Sequence, residues 1–401
     1  MSSALIKQIT TKSPKDIVIL GAYRSPITRA VKGGLAKLSP EEILYQTVKG
    51  ALSKIKIPLD IVDDVLIGTV LQTLGGQKAS ALAIKSIGFP VSTTVNTCNR
   101  QCSSSIQSLS YVGNSIRCED YKIGIAAGVE SMTWDYFPHR GIPSRISENL
   151  LNLANQEAKD VLMPMGITSE NVALKYGLNR QELDQFAFDS HRKASIARDS
   201  GLFNDEIIPI TVDDGKVIDM DDGIRSSISI EKLNSLQPAF TKDGLTTAGN
   251  SSQISDGGSI ALLTTREEAD KLGLKPVGRY ISSTVAGVEA SLMGIAPAFA
   301  IPQLLKKLNL ELKDISKFEL NEAFATQSLY VLKKLNLENR LIDGDINPKG
   351  GAIALGHPLG ATGIRCLSTL LNSMEGDGEL GIVSMCCSTG QGYAGLFVKE
   401  T

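Results

Sequence analysis

A chain of 401 residues, 42% hydrophobic and 21% charged, has the composition of a globular protein with two or three domains. Its formal net charge of −2 provides no basic face for a nucleic acid or an anionic membrane. No apolar run approaches the ~18–20 residues that span a bilayer. Six cysteines without a secretory leader point to reduced thiols inside a cell, and none has ligand spacing with a histidine, so no metal site is expected.

Taken in chain order, apolar runs alternate with helical patterns. Asp16–Leu20 and Val62–Val70 read as strands, and Pro40–Ile55 as a helix with Leu44, Val48, Leu52 and Ile55 on one face. Ile106, Leu109, Val112 and Ile116 predict a helix that opens near Cys102, followed by a strand at Ile123–Ala127. From Thr133 to about Leu245 the alternation breaks into a helix-rich stretch (Ile167–Asp199) and an acidic turn, which reads as an insertion. The last third resumes the alternation. It has strands at Gly278–Val285, Ser316–Leu320 and Leu380–Val383, and helices at Pro297–Leu308, Ala323–Leu335 and Ala361–Leu371. This is α/β layering.

Three segments carry chemistry. Asn347-Pro-Lys-Gly-Gly-Ala-Ile-Ala-Leu-Gly-His-Pro-Leu-Gly-Ala-Thr-Gly363 sets five glycines and two prolines around His357, one of only three histidines. A helix N-terminus there would keep the imidazole neutral and available as a base. Cys102 precedes the helix of Ile106, where a lowered pKa would make it a nucleophile. Cys386 leaves an apolar strand for the loop Cys387-Ser-Thr-Gly-Gln-Gly392. Cys98, Cys118 and Cys366 read as small buried hydrophobes, and His139 and His191 as structural or exposed groups.

Together these segments resemble the thiolase family, with a close match to degradative 3-ketoacyl-CoA thiolases of peroxisomal type. Gly21-Ala-Tyr-Arg-Ser-Pro-Ile-Thr28, Ala127-Gly-Val-Glu-Ser-Met132, Met163-Pro-Met-Gly-Ile-Thr-Ser-Glu-Asn171, Thr247-Ala-Gly-Asn-Ser-Ser-Gln-Ile-Ser-Asp-Gly257 and Asn321-Glu-Ala-Phe-Ala325 extend the match over nearly the whole chain. The resemblance implies two similar halves in a five-layered α/β/α/β/α core. Residues 1–132 and 246–275 would form the N-terminal half, 276–401 the C-terminal half, and 133–245 an inserted loop domain.

The resemblance also implies roles. Cys102 would be the nucleophile, His357 its base, and Cys386 the acid that protonates the leaving enolate. His357 and Asn321 would form one oxyanion site, and the backbone N–H groups of Cys102 and Ser388 the other. Ser252 would meet the pantetheine arm, and Met165 and Met293 would be apolar walls. Phe324 reads equally as channel lining or core, and Arg225 as a phosphate contact or a surface arginine. Coenzyme A enters as co-substrate with no permanently bound cofactor. A homodimer, or a dimer of dimers, is implied, with Thr73–Ile87 a candidate for the twofold contact.

Pro164 and the Met293–Pro302 segment resemble the broad-range degradative group and favour chains longer than four carbons. Peroxisomal residence is implied, although neither terminus carries an address readable in the sequence, which leaves the cytosol as the alternative. Ser105, Cys387, Ser388 and Ala296 depart from the family pattern: Ser105 and Ala296 stand where it has glycine, and Cys387-Ser388 where it has isoleucine-glycine. Ser105 and Ser388 keep open the reading of a thiolase-like acyl-CoA-binding protein with impaired turnover, and a biosynthetic acetoacetyl-CoA thiolase is the other alternative, because the same residues serve both directions of the reaction.

Overall fold

The strands that frame the site are β1 (Ile17–Arg24), β2 (Asp64–Gly68), β3 (Thr94–Cys98), β4 (Gly124–Ser131), β5 (Ser255–Thr265), β6 (Gly278–Gly287), β7 (Lys317–Leu320), β8 (Leu380–Cys387) and β9 (Gln391–Lys399). They come from a computed structural model that describes residues 2–137, 141–143 and 145–401. Their order is β7-β8-β9-β6-β1-β5-β4-β2-β3. β2 runs parallel to β3 and β4, whereas β5 is antiparallel to β4 and to β1. The second half repeats this scheme: β7 is parallel to β8, and β9 is antiparallel to β8 and to β6. Even the counterpart of β3 survives, as a single parallel bridge between Phe318 and Ile346. The internal duplication is thus written in strand pairing, where residue identity is too weak to reveal it.

Three hydrophobic cores stack around the strands. The first packs Ile43, Leu44, Val48 and Leu52 of helix Pro40–Ile55 against Val18, Val65, Ile67 and Ile260. The middle core packs Ile106, Leu109 and Val112 of helix Ser104–Arg117 and Ile364, Leu367 and Leu370 of helix Thr362–Leu371 between strands of both halves. The third packs Ile301, Leu304, Val331 and Leu332, from helices Pro297–Leu308 and Ala325–Leu335, on Ile382 and Leu396. Three helical layers separated by two strand layers make the expected five-layered α/β/α/β/α arrangement. Alternation decides which face each residue serves: Ile17 and Ile19 enter the middle core, Val18 the outer one.

The middle segment has helices Met165–Tyr176 and Arg180–Asp199. A buried ion cluster pins it to the first strand. Arg24 bonds Asp221 with both terminal nitrogens, at 2.7 and 2.9 Å, and Glu206 through Nε at 2.7 Å. With all three side chains buried, removal of Arg24 would leave two buried acids without their cation. His191, on Arg180–Asp199, is buried rather than exposed; His139 lies outside the described residues.

Candidate active site

The duplication places Cys102 and His357 in equivalent positions, each in the loop before a middle-layer helix. These two helices meet backbone to backbone. A Cβ at Gly363 would sit 2.6 Å from the Ile106 nitrogen, so only glycine permits this approach.

Cys102 stands two residues ahead of helix Ser104–Arg117 and is 6% exposed. The expected lowering of its pKa is overturned: burial, followed by the neighbouring Cys387, pushes the thiol up to about 12. The helix-end field fades within a turn, while burial penalises the thiolate directly. Two main-chain N–H groups act the other way, those of Ser388 and of Cys102 itself. These are the two donors expected to form an oxyanion site.

His357 is buried, five residues before the helix. Burial, then the Arg365 guanidinium, holds the imidazole down to about 3, so packing and a cation do what was expected of the helix dipole. Its main-chain N–H is fixed on the Gln253 carbonyl at 3.0 Å. Thr362 Oγ1 donates to the Pro358 carbonyl at 2.9 Å and so accepts from His357 Nδ1, 2.7 Å away. The proton therefore sits on Nδ1, and Nε2 keeps its lone pair towards the site. Asn321 Nδ2 lies 3.4 Å from that Nε2. Asn321 is fully buried, and its Oδ1 has no protein partner among the described residues, as befits an acceptor for a donor brought by water or ligand.

Asn321 follows β7, and its N–H bonds Ser384 of the adjacent β8 at 2.9 Å. Two residues on, Cys386 is fully buried, and its thiol is raised well above the usual range by burial and by Cys102. Cys386, Met293, Ala323 and Phe324 form one apolar cluster with Met165 against it. Phe324 precedes its helix as the cap residue instead of lying on the first turn. Cys387 turns aside: its Sγ donates to Ser103 Oγ at 3.0 Å. Of the remaining cysteines, Cys366 is buried and Cys98 partly so, but Cys118 is exposed, contrary to expectation.

Ser252 lies beside Phe324, its N–H on the Ala323 carbonyl at 3.0 Å. Farther out, Arg225, Ser226, Ser227 and Lys232 line a pocket of about 470 Å³ with Ile228 and Leu236. His191 Nδ1 accepts the Arg225 N–H at 3.2 Å and braces the pocket loop.

The thiolase N-terminal domain family matches residues 17–267, and the thiolase C-terminal domain family matches residues 274–399. The chain belongs to the thiolase family.

The peroxisomal 3-ketoacyl-CoA thiolase of Saccharomyces cerevisiae is 42% identical over 394 residues, spanning 97% of this chain and 93% of that protein. The crystal structure of the dimeric peroxisomal thiolase of that yeast superposes with a TM-score of 0.93 at 41% identity, covering 98% of this chain and 100% of the other. Human mitochondrial 3-ketoacyl-CoA thiolase in complex with CoA superposes with a TM-score of 0.86 at 31% identity, covering 97% and 99%.

The departures from the thiolase pattern fit this fold. Ser388 is not among the residues with positive φ; the left-handed residues of this turn are Thr389, with φ 66°, and Gly390, with φ 76°. The Ser388 N–H therefore keeps its direction. Ala296 is buried against Gly392, where a Cβ would approach the Ala296 Cβ to 2.6 Å. The sequence reading missed three supporting residues: Thr362, Gln253 and Glu130. Glu130 accepts the N–H groups of Val70, Leu71 and Gly360 at 2.9–3.0 Å and holds the histidine loop to β4. All three lie within the quoted motifs, but their partners come from distant loops. Among the described residues no cluster of acidic, histidine and cysteine side chains could hold a metal ion, and no helix is long and apolar enough to cross a membrane.

Proposed function

We propose that this thiolase cleaves 3-ketoacyl-CoA with coenzyme A, releasing acetyl-CoA and an acyl-CoA two carbons shorter, as in fatty acid β-oxidation. The observation that carries the reading is the pairing of reactive groups: the Cys102 and Cys386 thiols act on each other electrostatically, and Asn321 Nδ2 lies 3.4 Å from His357 Nε2. Cys102 attacks the keto carbon while His357 Nε2 takes its proton. Since the thiol is held high and the imidazole low, the proton moves as the carbon–sulfur bond forms, not beforehand. The bond between C2 and C3 then breaks, and the Cys386 thiol protonates C2 of the departing acetyl-CoA enolate. In the second half, the Cys386 thiolate takes the proton of coenzyme A, whose sulfur attacks the acyl-enzyme. Cys102 leaves and recovers its proton from His357.

Asn321, through a water, and His357 stabilise one developing oxyanion. The N–H groups of Cys102 and Ser388 stabilise the other, each such donor contributing about 3 kcal/mol. Ser252 holds the pantetheine arm, and Arg225 with Lys232 meets the phosphates of coenzyme A, since this pocket combines two cations with two serines. The catalytic halves are 1–132 with 246–275 and 276–401, and 133–245 covers the site; β5 pairing with β1 and β4 supports that assignment.

The peroxisomal relatives support the same compartment for this chain. A homodimer fits as well: β3 lies at the end of the sheet order, and the adjoining segment leaves Leu74 93% and Leu82 64% exposed. Acyl chains of six carbons or more are expected to be preferred. Each methylene held against Met165, Met293 and Phe324 contributes up to about 0.8 kcal/mol, so kcat/KM for 3-ketooctanoyl-CoA should exceed that for acetoacetyl-CoA by on the order of 10–100-fold. A preference for acetoacetyl-CoA would promote the biosynthetic reading, and tight binding without acetyl-CoA release the binding-protein reading.

A further inference from the structure

We infer that Ser105 is a positioning residue that couples the nucleophile's helix to the base's helix through a reciprocal pair of hydrogen bonds. This inference rests on the thiolase reading above and names a part for a residue that departs from the family pattern.

Helix Thr362–Leu371 begins with no capping side chain of its own; its cap residue is Ala361. A first-turn N–H therefore needs an acceptor from elsewhere. For Ile364 that acceptor is Ser105 Oγ, 3.0 Å away on the other helix. The carbonyl four residues before Ile364 is that of Gly360, and it accepts the Ser105 N–H at 3.2 Å. Ser105 thus takes the Gly360 carbonyl and returns its own hydroxyl oxygen to the N–H that would have used it. Any residue could make the first bond; only a side chain with an oxygen at this reach makes the second.

The surroundings leave Ser105 little freedom. It is fully buried, and its carbonyl accepts from Ser108 Oγ at 2.6 Å. A Cβ on Gly128 would lie 2.5 Å from the Ser105 Cβ and 2.3 Å from the Gly360 oxygen. Each bond lies one turn from chemistry. Ser105 is three residues after Cys102, and Ile364 is two after Thr362, whose hydroxyl orients His357. Loss of the hydroxyl leaves the Ile364 N–H buried without its acceptor and frees the two helix starts to shift against each other. The distance that would change is the one between sulfur and imidazole, to which a proton transfer is steeply sensitive.

S105A and S105G test this, compared with the parent by kcat per titratable Cys102, KM for 3-ketooctanoyl-CoA and melting temperature. Both variants add no volume. The expected result is a fall of ~10-fold in kcat per titrated site with KM within about twofold, since misplacement by a fraction of an ångström acts on the reaction rather than on binding. A merely structural role would reduce the number of titratable sites and leave turnover per site unchanged, and that outcome in both variants would overturn the inference. In the parent itself, the Ile364 amide should exchange with deuterium as slowly as the helix interior. Exchange typical of a free helix end would overturn the cap without any variant. A parent that forms no acetyl-CoA would overturn the functional reading instead, so the two failures are distinguishable.

Discussion

Replacing His357 with alanine is expected to lower kcat for thiolysis by ~10²–10⁴-fold, the range for loss of a positioned general base, with KM changed only a few-fold. Three features set the size of the effect. The Cys102 thiol is held up at about 12, so almost no thiolate exists near neutral pH without a base. The ring is already neutral, held down to about 3, so every parent molecule is competent at pH 7. Its Nδ1 proton is committed to Thr362 at 2.7 Å, which leaves Nε2 as the acceptor. The same variant loses the ring beside Asn321, so both the proton transfer and one oxyanion partner disappear. Stopped-flow measurement of acyl-enzyme formation separates chemistry from binding. An H357A rate within a few-fold of the parent would show that another group takes the Cys102 proton.

The second large effect distinguishes two adjacent cysteines. C386A should still acylate Cys102 from hexanoyl-CoA but should lose acetyl-CoA enolate exchange and overall thiolysis by ~10²–10⁴-fold. The asymmetry follows from the leaving groups. A thiolate departs without help near neutral pH, whereas a carbanion α to a thioester must receive a proton as it forms. C387A should remain within a few-fold of the parent in turnover. Its thiol is bonded to Ser103 Oγ, which also donates to the Arg100 carbonyl at 3.0 Å, so the loss is one hydrogen bond of about 1 kcal/mol in stability. Deuterium incorporation at C2 of acetyl-CoA reads out the first variant directly. Exchange retained in C386A and lost in C387A would move the acid by one residue.

Much of the site is legible in the sequence. Glycines around His357, the apolar spacing after Cys102 and the strand leading into Cys386 located the chemistry, because each is local in sequence. Helix Pro40–Ile55 ran to the residue as read, with Pro40 in its first turn. Strands β3, β5 and β9 escaped notice for a physical reason. β5 and β9 are buried on both faces, β5 interspersed with glycine and serine and β9 with glycine, so they show neither alternation nor a long apolar run. β3, Thr-Val-Asn-Thr-Cys, is largely polar because it lies at the sheet's end.

The electrostatics were also out of reach. A lowered thiol pKa was inferred for Cys102 from its helix, but burial by residues far away in the chain decides the direction. For His357 the expected direction holds, but its causes are burial and then Arg365, in the first turn of the following helix. Ser388 is a tertiary matter as well, since only the fold shows that the left-handed turn falls on Thr389 and Gly390.

Cys102 is expected to carry the shortened acyl chain. Rapid mixing of the protein with 3-ketooctanoyl-CoA in the absence of free coenzyme A, acid quench and peptide mass spectrometry measure this directly. The predicted result is a hexanoyl adduct on the peptide containing Cys102, formed together with one equivalent of acetyl-CoA and discharged as hexanoyl-CoA when coenzyme A is added. Acetyl-CoA release with Cys102 unmodified, or with the acyl group on Cys386 or Cys387, would contradict it.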